Sequence, residues 1–236
     1  MKCADNAAEK DARLPRIRKF EIEAHRTWFK KDSRVLEIGG GSGYQASIIA
    51  GWGCKVASLD VDPKSVFFPV QNYDGARIPF CDESFDIVFS SNTLEHVKRL
   101  KPLIAETRRV TSPKGIGIHS MPSPVWRFWS NIGHYLNLAR KIASGEYSAS
   151  YVLRRELTPG RHGERGNALS ELYYFSKDHW KHVFEEQGFE VFRTEPNRLF
   201  YTSPGVFPNA SLKIGVIAAR FLGSSSNTYF VKRKPS

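Results

Sequence analysis

The chain has 236 residues, with 35 Lys and Arg against 24 Asp and Glu, a net charge of +11 and 41% apolar residues. That is enough for one α/β domain with its own core, and it excludes a disordered polyelectrolyte or a disulfide-stapled miniature. Cys3, Cys54 and Cys81 lack C-x-x-C pairing and His partners at metal spacing, residues 1–6 lack an apolar h-region, and no run approaches the ~20 apolar residues of a membrane span; no metal, reduced thiols and a cytoplasmic setting are expected.

Residues 10–31 read as a helical lead-in interrupted near Pro15, with Arg18, Phe20, Ile22, His25, Arg26, Trp28 and Phe29 giving a mixed apolar and basic face. They belong to an N-terminal helical segment, 1–33. A strand follows over 34–38, then the glycine cluster Gly39-Gly40-Gly41-Ser42-Gly43, a helix from Tyr44 to Gly51 and a second strand over 53–60. Between Asp60 and Asp74 there is little room for a second helix and a full third strand, and Pro63 and Pro69 shorten whatever lies there. Strands are expected over 85–90 and 116–120, with a broken helix over 94–107 between them.

Pro122-Ser123-Pro124 opens the least regular stretch, which we read as a lid or substrate-binding insertion over 122–172 with a mobile basic loop at 154–167. Ser176 caps a helix over 177–187 that Gly188 stops. The last strands are expected at 189–194 and 228–233. The apolar helix 212–222 between them carries only Lys213 and Arg220; core packing is its first reading, a dimer contact or a membrane surface the alternatives.

Chemistry concentrates at the end of the first strand. Gly39, Gly41 and Gly43 remove β-carbons that would hold a ligand off the backbone. Asp60, one strand later, is placed to hold a ribose diol. Gly41 to Ala46 can be forced onto the dinucleotide pattern G-x-G-x-x-A, but Glu37 at the strand end suits a ligand with a cationic amino-acid portion better than a pyrophosphate.

The run from Val35 through Tyr44, followed by Asp60, resembles the first motifs of class I S-adenosylmethionine-dependent methyltransferases of the type 11 kind. Residues 73–97 resemble that family's adenine-contacting loop, fourth strand and following helix, and residues 108–115 its turn before the fifth strand. The resemblance covers about 35–120 and implies a Rossmann-like α/β fold: a seven-stranded, mostly parallel sheet with an antiparallel last strand and helices on both faces, in one domain over 1–236. It also implies S-adenosylmethionine as cofactor. Gly39 and Gly41 would let the backbone approach it, Glu37 would balance its ammonium and Asp60 would accept its ribose hydroxyls. Val61 would pack on adenine, Asp74 would accept from the adenine amine with Gly75 nearby, and Asn92 would line the methionine tail.

For a general base, His96 after the fourth strand and His119 on the fifth are the candidates, with His134 and His162 in the insertion. Residues 36–119 carry 9 basic and 9 acidic residues, so the excess charge lies in the flanks, 10 against 6 in 1–35 and 16 against 9 in 120–236. That pattern suits an anionic small-molecule or carrier-linked acceptor of saccharide or lipid type, methylated on oxygen, and leaves a membrane surface open as a partner. RNA or protein methylation is the alternative, although no accessory RNA-binding module or Asn-Pro-Pro-Tyr motif is present and nucleic acid is not expected. A cofactor-binding protein without turnover is the third reading, and the presence of all three acids counts against it.

Overall fold

In the computed structural model, residues 2–202 and 211–235 are described, with side chains from Arg13 onward; Cys3 lies outside the described side chains. The chain divides into two compact units: residues 1–121, 181–195 and 228–236 form the first, and residues 122–180 and 196–227 the second.

The first unit contains helix α1 (Lys2–Glu23), β1 (Arg34–Ile38), α2 (Tyr44–Gly51), β2 (Lys55–Asp60) and the two-residue β3 (Gln71–Asn72). It continues with β4 (Phe85–Ser91), a single 3-10 turn at Leu94–His96, α3 (Leu100–Val110) and β5 (Thr111–Pro122). The sheet runs β3-β2-β1-β4-β5-β7-β6, where β6 is Phe189–Pro196 and β7 is Ser226–Arg233. The pairs β1–β2, β1–β4, β2–β3 and β4–β5 are parallel. Lys234 N donates to Gly188 O and Asn197 N to Ser226 O, so β7 runs against β6, as the expectation of an antiparallel last strand requires.

Alternation along the strands sorts the two faces. Val35, Ile87, Phe89, Ile118 and Phe230 pack with Ile22 of α1, Phe29 and Ile49 of α2. On the opposite face His119 stacks on Phe184 of the later helix α7 (Lys177–Glu186), which is tied to α3 by the Lys101–Glu186 ion pair. Helices therefore cover both faces.

Three details differ from the sequence reading. Helix α1 runs through Pro15 instead of breaking there; a proline deletes one amide donor, and Ile17 and Ile22 are buried beyond it. β5 begins at Thr111, five residues early, because its pairing resumes across an irregularity opposite Phe85–Ile87 that absorbs Pro113. The segment 154–167 is strapped by hydrogen bonds instead of forming an open loop.

That strapping belongs to the second unit. Here α4 (Pro124–Ala143) starts at Ser123, whose Oγ accepts from Trp126 N, and is followed by the short α5 (Ala149–Tyr151), a π-helical turn at Val152–Glu156 and α6 (Glu171–Tyr174). Arg127 and Glu171 form a buried ion pair, 2.9 Å apart. Arg127 also donates to the carbonyls of Gly160 and Ala168, and Glu171 Oε1 accepts from the amides of His162 and Gly163. Helix α8 (Leu212–Leu222) completes this unit.

Candidate functional site

The glycine loop after β1 uses its glycines in two ways. Gly39, Gly41 and Gly43 have φ of 78°, 52° and 77°, the left-handed region that side-chain-bearing residues avoid. A Cβ on Gly39 would sit 2.2 Å from Thr93 Oγ1, so that glycine is required by the fold. A Cβ on Gly41 would meet nothing nearer than Asp60 Oδ2 at 4.0 Å, so the loop is open on that side. An open flank beside a carboxylate fits a nucleoside cofactor whose backbone-facing edge a methyl group would displace.

Beneath the loop lie two acids. Glu37 and Asp60 fall on the same face of neighbouring parallel strands, with Ser58 between them in parity. Glu37 is buried, its Oε2 accepts from Ser58 Oγ at 2.6 Å, and burial pushes its carboxyl up to about 7, opposed by that hydrogen bond and reinforced by Asp60. Asp60 is held by two backbone amides: Gly41 N donates to Oδ2 at 2.8 Å and Asp62 N to Oδ1 at 2.9 Å. Each oxygen keeps a lone pair for a hydroxyl donor.

The far side of the glycine loop is also tied. No helix stands between β2 and β3; the amides of Lys64 and Ser65 donate to Gly41 O, and those of Val66 and Phe67 to Ser42 O. Tyr44 meets Phe67 edge to face. Val61 is exposed, and a Cβ on Gly75 would lie 3.0 Å from Val61 Cγ1, so the residues expected around adenine do lie side by side. Asp74 Oδ1 accepts from the amides of Ala76 and Arg77, both at 2.8 Å, which holds its carboxyl below the usual range. Its Oδ2 is not used by that turn. Tyr73, between Asp60 and Asp74, is pushed up to about 12, first by burial and then by the two carboxylates.

At the end of β4, Asn92 has φ of 50° and its amide donates to Ser120 O. That strained turn delivers Thr93 under Gly39 and Glu95 into the interior. Glu95 is buried, and burial pushes its carboxyl up to about 8, countered by its own backbone amide and by Arg18 of α1. His96 Nε2 stands 3.7 Å from Glu95 Oε1, on a half-exposed ring.

The other histidines are placed differently. His119 is fully buried on the opposite sheet face, with Nδ1 paired to Ser90 Oγ at 2.8 Å, and burial depresses it to about 3. It is therefore neutral and sealed from solvent. His134 bonds Glu156 O, and His162 packs on Trp126, both in the second unit. Ser58, Tyr73, Thr93 and Glu95 were missed in the sequence. Ser58 had a signal, since it shares strand parity with Asp60; nothing in the sequence distinguishes the burial of Glu95.

Residues 36–118 match the family model described as "Methyltransferase domain". A Mycobacterium avium protein described as "Uncharacterized methyltransferase" is 32% identical over 148 residues, 58% of this chain and 56% of its own length. The chain thus spans about half the length of the curated relatives it matches. Among solved structures, a SAM dependent methyltransferase from Archaeoglobus fulgidus aligns over 90% of this chain and 91% of its own, at 16% identity and TM-score 0.57. One from Aquifex aeolicus aligns over 96% and 97%, at 15% identity and TM-score 0.55. At such identities the likeness is one of fold.

Proposed function

We propose that the chain is a class I S-adenosylmethionine-dependent methyltransferase that transfers a methyl group to an oxygen of an anionic small-molecule or carrier-linked acceptor of saccharide or lipid type; the matching methyltransferase family model and the similar relatives support the methyltransferase part. The observation that carries the cofactor half is the Asp60 carboxylate, fixed by two amides beside a glycine loop whose flank is open. Asp60 would hold the ribose hydroxyls, Glu37 the ammonium, Asp74 Oδ2 the adenine amine, with Val61 and Gly75 against the base and Asn92 by the methionine tail.

When bound, S-adenosylmethionine supplies a methyl group already activated on a sulfonium. The chain's own residues then have to orient the acceptor and take the proton that an attacking hydroxyl gives up. His96 is the candidate for that proton, because its ring is half exposed and stands in the turn that follows β4. His119, neutral and enclosed, has a packing role in this reading. The anionic character of the acceptor is supported by the positive excess outside 36–119.

Titration calorimetry with adenosylmethionine, its demethylated product and NAD tests the first half. Asp60→Ala should weaken binding of the first two about 5- to 150-fold, the loss of about 1–3 kcal/mol expected for a removed hydrogen-bond partner; preference for NAD would overturn the reading. For the second half, His96→Ala should lower kcat on an acidic hydroxylated acceptor while cofactor Kd is unchanged. An unchanged kcat would remove His96 from the chemistry.

A further inference from the structure

Helix α8 is held by one face and bare on the other. On the held side a Cβ on Gly215 would meet Leu199 Cδ1 and Phe200 O at 2.8 Å, and Phe200 N donates to Gly215 O at 3.0 Å. Ser211 Oγ accepts from Ile214 N at the start, and Leu222 O accepts from Trp129 Nε1 at the end. The contacts at Gly215 and Leu222 fix how the helix is rotated. At 3.6 residues per turn, Lys213, Ile214, Ile217, Arg220 and Phe221 then share the opposite side. All five are exposed, and Phe221 at 83% is the barest large apolar side chain among the described residues.

Charge on this element has one sign. The segment 196–227 contains Arg198, Lys213 and Arg220 and no acidic residue. Lys213 and Arg220 sit along one border of the apolar strip, so their stems can lie beside it with their charged ends directed outward. We propose that this face of α8 seats in the headgroup layer of an anionic lipid bilayer, with Ile214, Ile217 and Phe221 inserted and Lys213 and Arg220 paired to lipid phosphates. Such seating is the behaviour of a short helix with an apolar strip and flanking cations. Eleven residues rise only about 16 Å, half of the roughly 30 Å hydrocarbon core, so the helix lies on the surface and does not cross.

A second copy of the chain fits this face less well. Three side chains expose only a few hundred Å2, short of the roughly 800 Å2 per partner of a stable interface. A two-fold contact would also set Lys213 and Arg220 against their own copies, with no acid in the segment to separate them. A bilayer supplies the missing negative charge. The inference does not depend on the methyltransferase reading, since its readout is partitioning and not turnover.

The test is cosedimentation of the full chain with vesicles of phosphatidylcholine alone and with about 30% phosphatidylglycerol, at low and high salt. Binding to the anionic vesicles should exceed that to neutral ones at least tenfold and fall with salt. Ile217→Ser with Phe221→Ser should reduce it about tenfold or more, and Lys213→Glu with Arg220→Glu at least tenfold, while circular dichroism stays unchanged because all four positions are exposed. Arg154→Glu with Arg155→Glu makes the same charge change elsewhere in the unit and should leave binding within about twofold. Binding to neither vesicle, or an equal loss in the Arg154 and Arg155 variant, would overturn the proposal. So would light scattering that shows a wild-type dimer dissolved by Phe221→Ser, which would assign the face to self-association.

Discussion

Replacing Glu37 by Gln should make the protein more stable and less able to bind its cofactor, and the stability gain should depend on pH. The native carboxyl is pushed up to about 7 from an ordinary value of 4.5, chiefly by burial. Below pH 4.5 the group is protonated in both states and costs nothing. Between 4.5 and 7 the unfolded chain ionises while the native one holds its proton, so stability falls as pH rises; above 7 the full penalty stands. At about 1.4 kcal/mol per pH unit the interval is worth roughly 3 kcal/mol. Glutamine keeps an oxygen for Ser58 and carries no such penalty. The difference in Tm between variant and wild type should therefore grow by about 6–12 °C from pH 4 to pH 8, using 2–4 °C per kcal/mol for a chain of this size. Glu95 titrates in both proteins and cancels in the difference. Thermal unfolding followed across that range, with and without adenosylmethionine, is the assay. Saturating ligand should favour the wild type, because in the proposed pairing the ammonium would stabilise an ionised Glu37 and would have no counter-charge in the variant. A Tm difference that stays constant from pH 4 to pH 8 would refute the assignment of a desolvated carboxyl at this position.

Asp74→Asn should keep the turn, since Asn Oδ1 can still accept from Ala76 and Arg77, but it would set an amide donor against the adenine amine. Kd for adenosylmethionine should rise about tenfold at nearly constant Tm, a lost hydrogen bond of ~1–3 kcal/mol; an unaltered Kd in calorimetry would leave Asp74 as a turn former only. Gly39→Ala and Gly41→Ala should separate folding from binding. The first drives a methyl into Thr93 and should lower Tm by several degrees, whereas the second costs only about 1–2 kcal/mol of backbone strain yet should abolish measurable cofactor binding. In the second unit, Arg127→Leu strands the buried Glu171 carboxylate and should cost about 3–5 kcal/mol in denaturant unfolding. Proteolysis within 154–167 should accelerate with it.

Much of the sheet was legible because its strands are short apolar runs closed by polar or glycine punctuation. Arg34–Ile38 and Leu212–Leu222 fall where the pattern puts them. The missing helix between Asp60 and Asp74 was legible from length and two prolines alone. Pro15 and Pro113 misled for the same physical reason: a proline removes one donor, and tertiary packing on either side can carry an element across it. At the site, the acids and glycines announced themselves by strand parity and spacing. Glu95 and His119 did not, because neither strand parity nor spacing tells whether a His within a strand, or a Glu in the turn after one, is sealed from solvent. The burial that makes His119 neutral and holds Glu95 protonated is a property of what lies above them.

The strap from Lys64 to Phe67 across the carbonyls of Gly41 and Ser42 changes what binding has to accomplish. A glycine-rich turn left to itself would surrender a large conformational entropy when a ligand immobilised it. Here that freedom is already gone before any ligand arrives, spent when the chain folded. Ligand affinity should therefore be sensitive to Pro63, Ser65 and Pro69, which shape the strap, even if none of them touches the ligand.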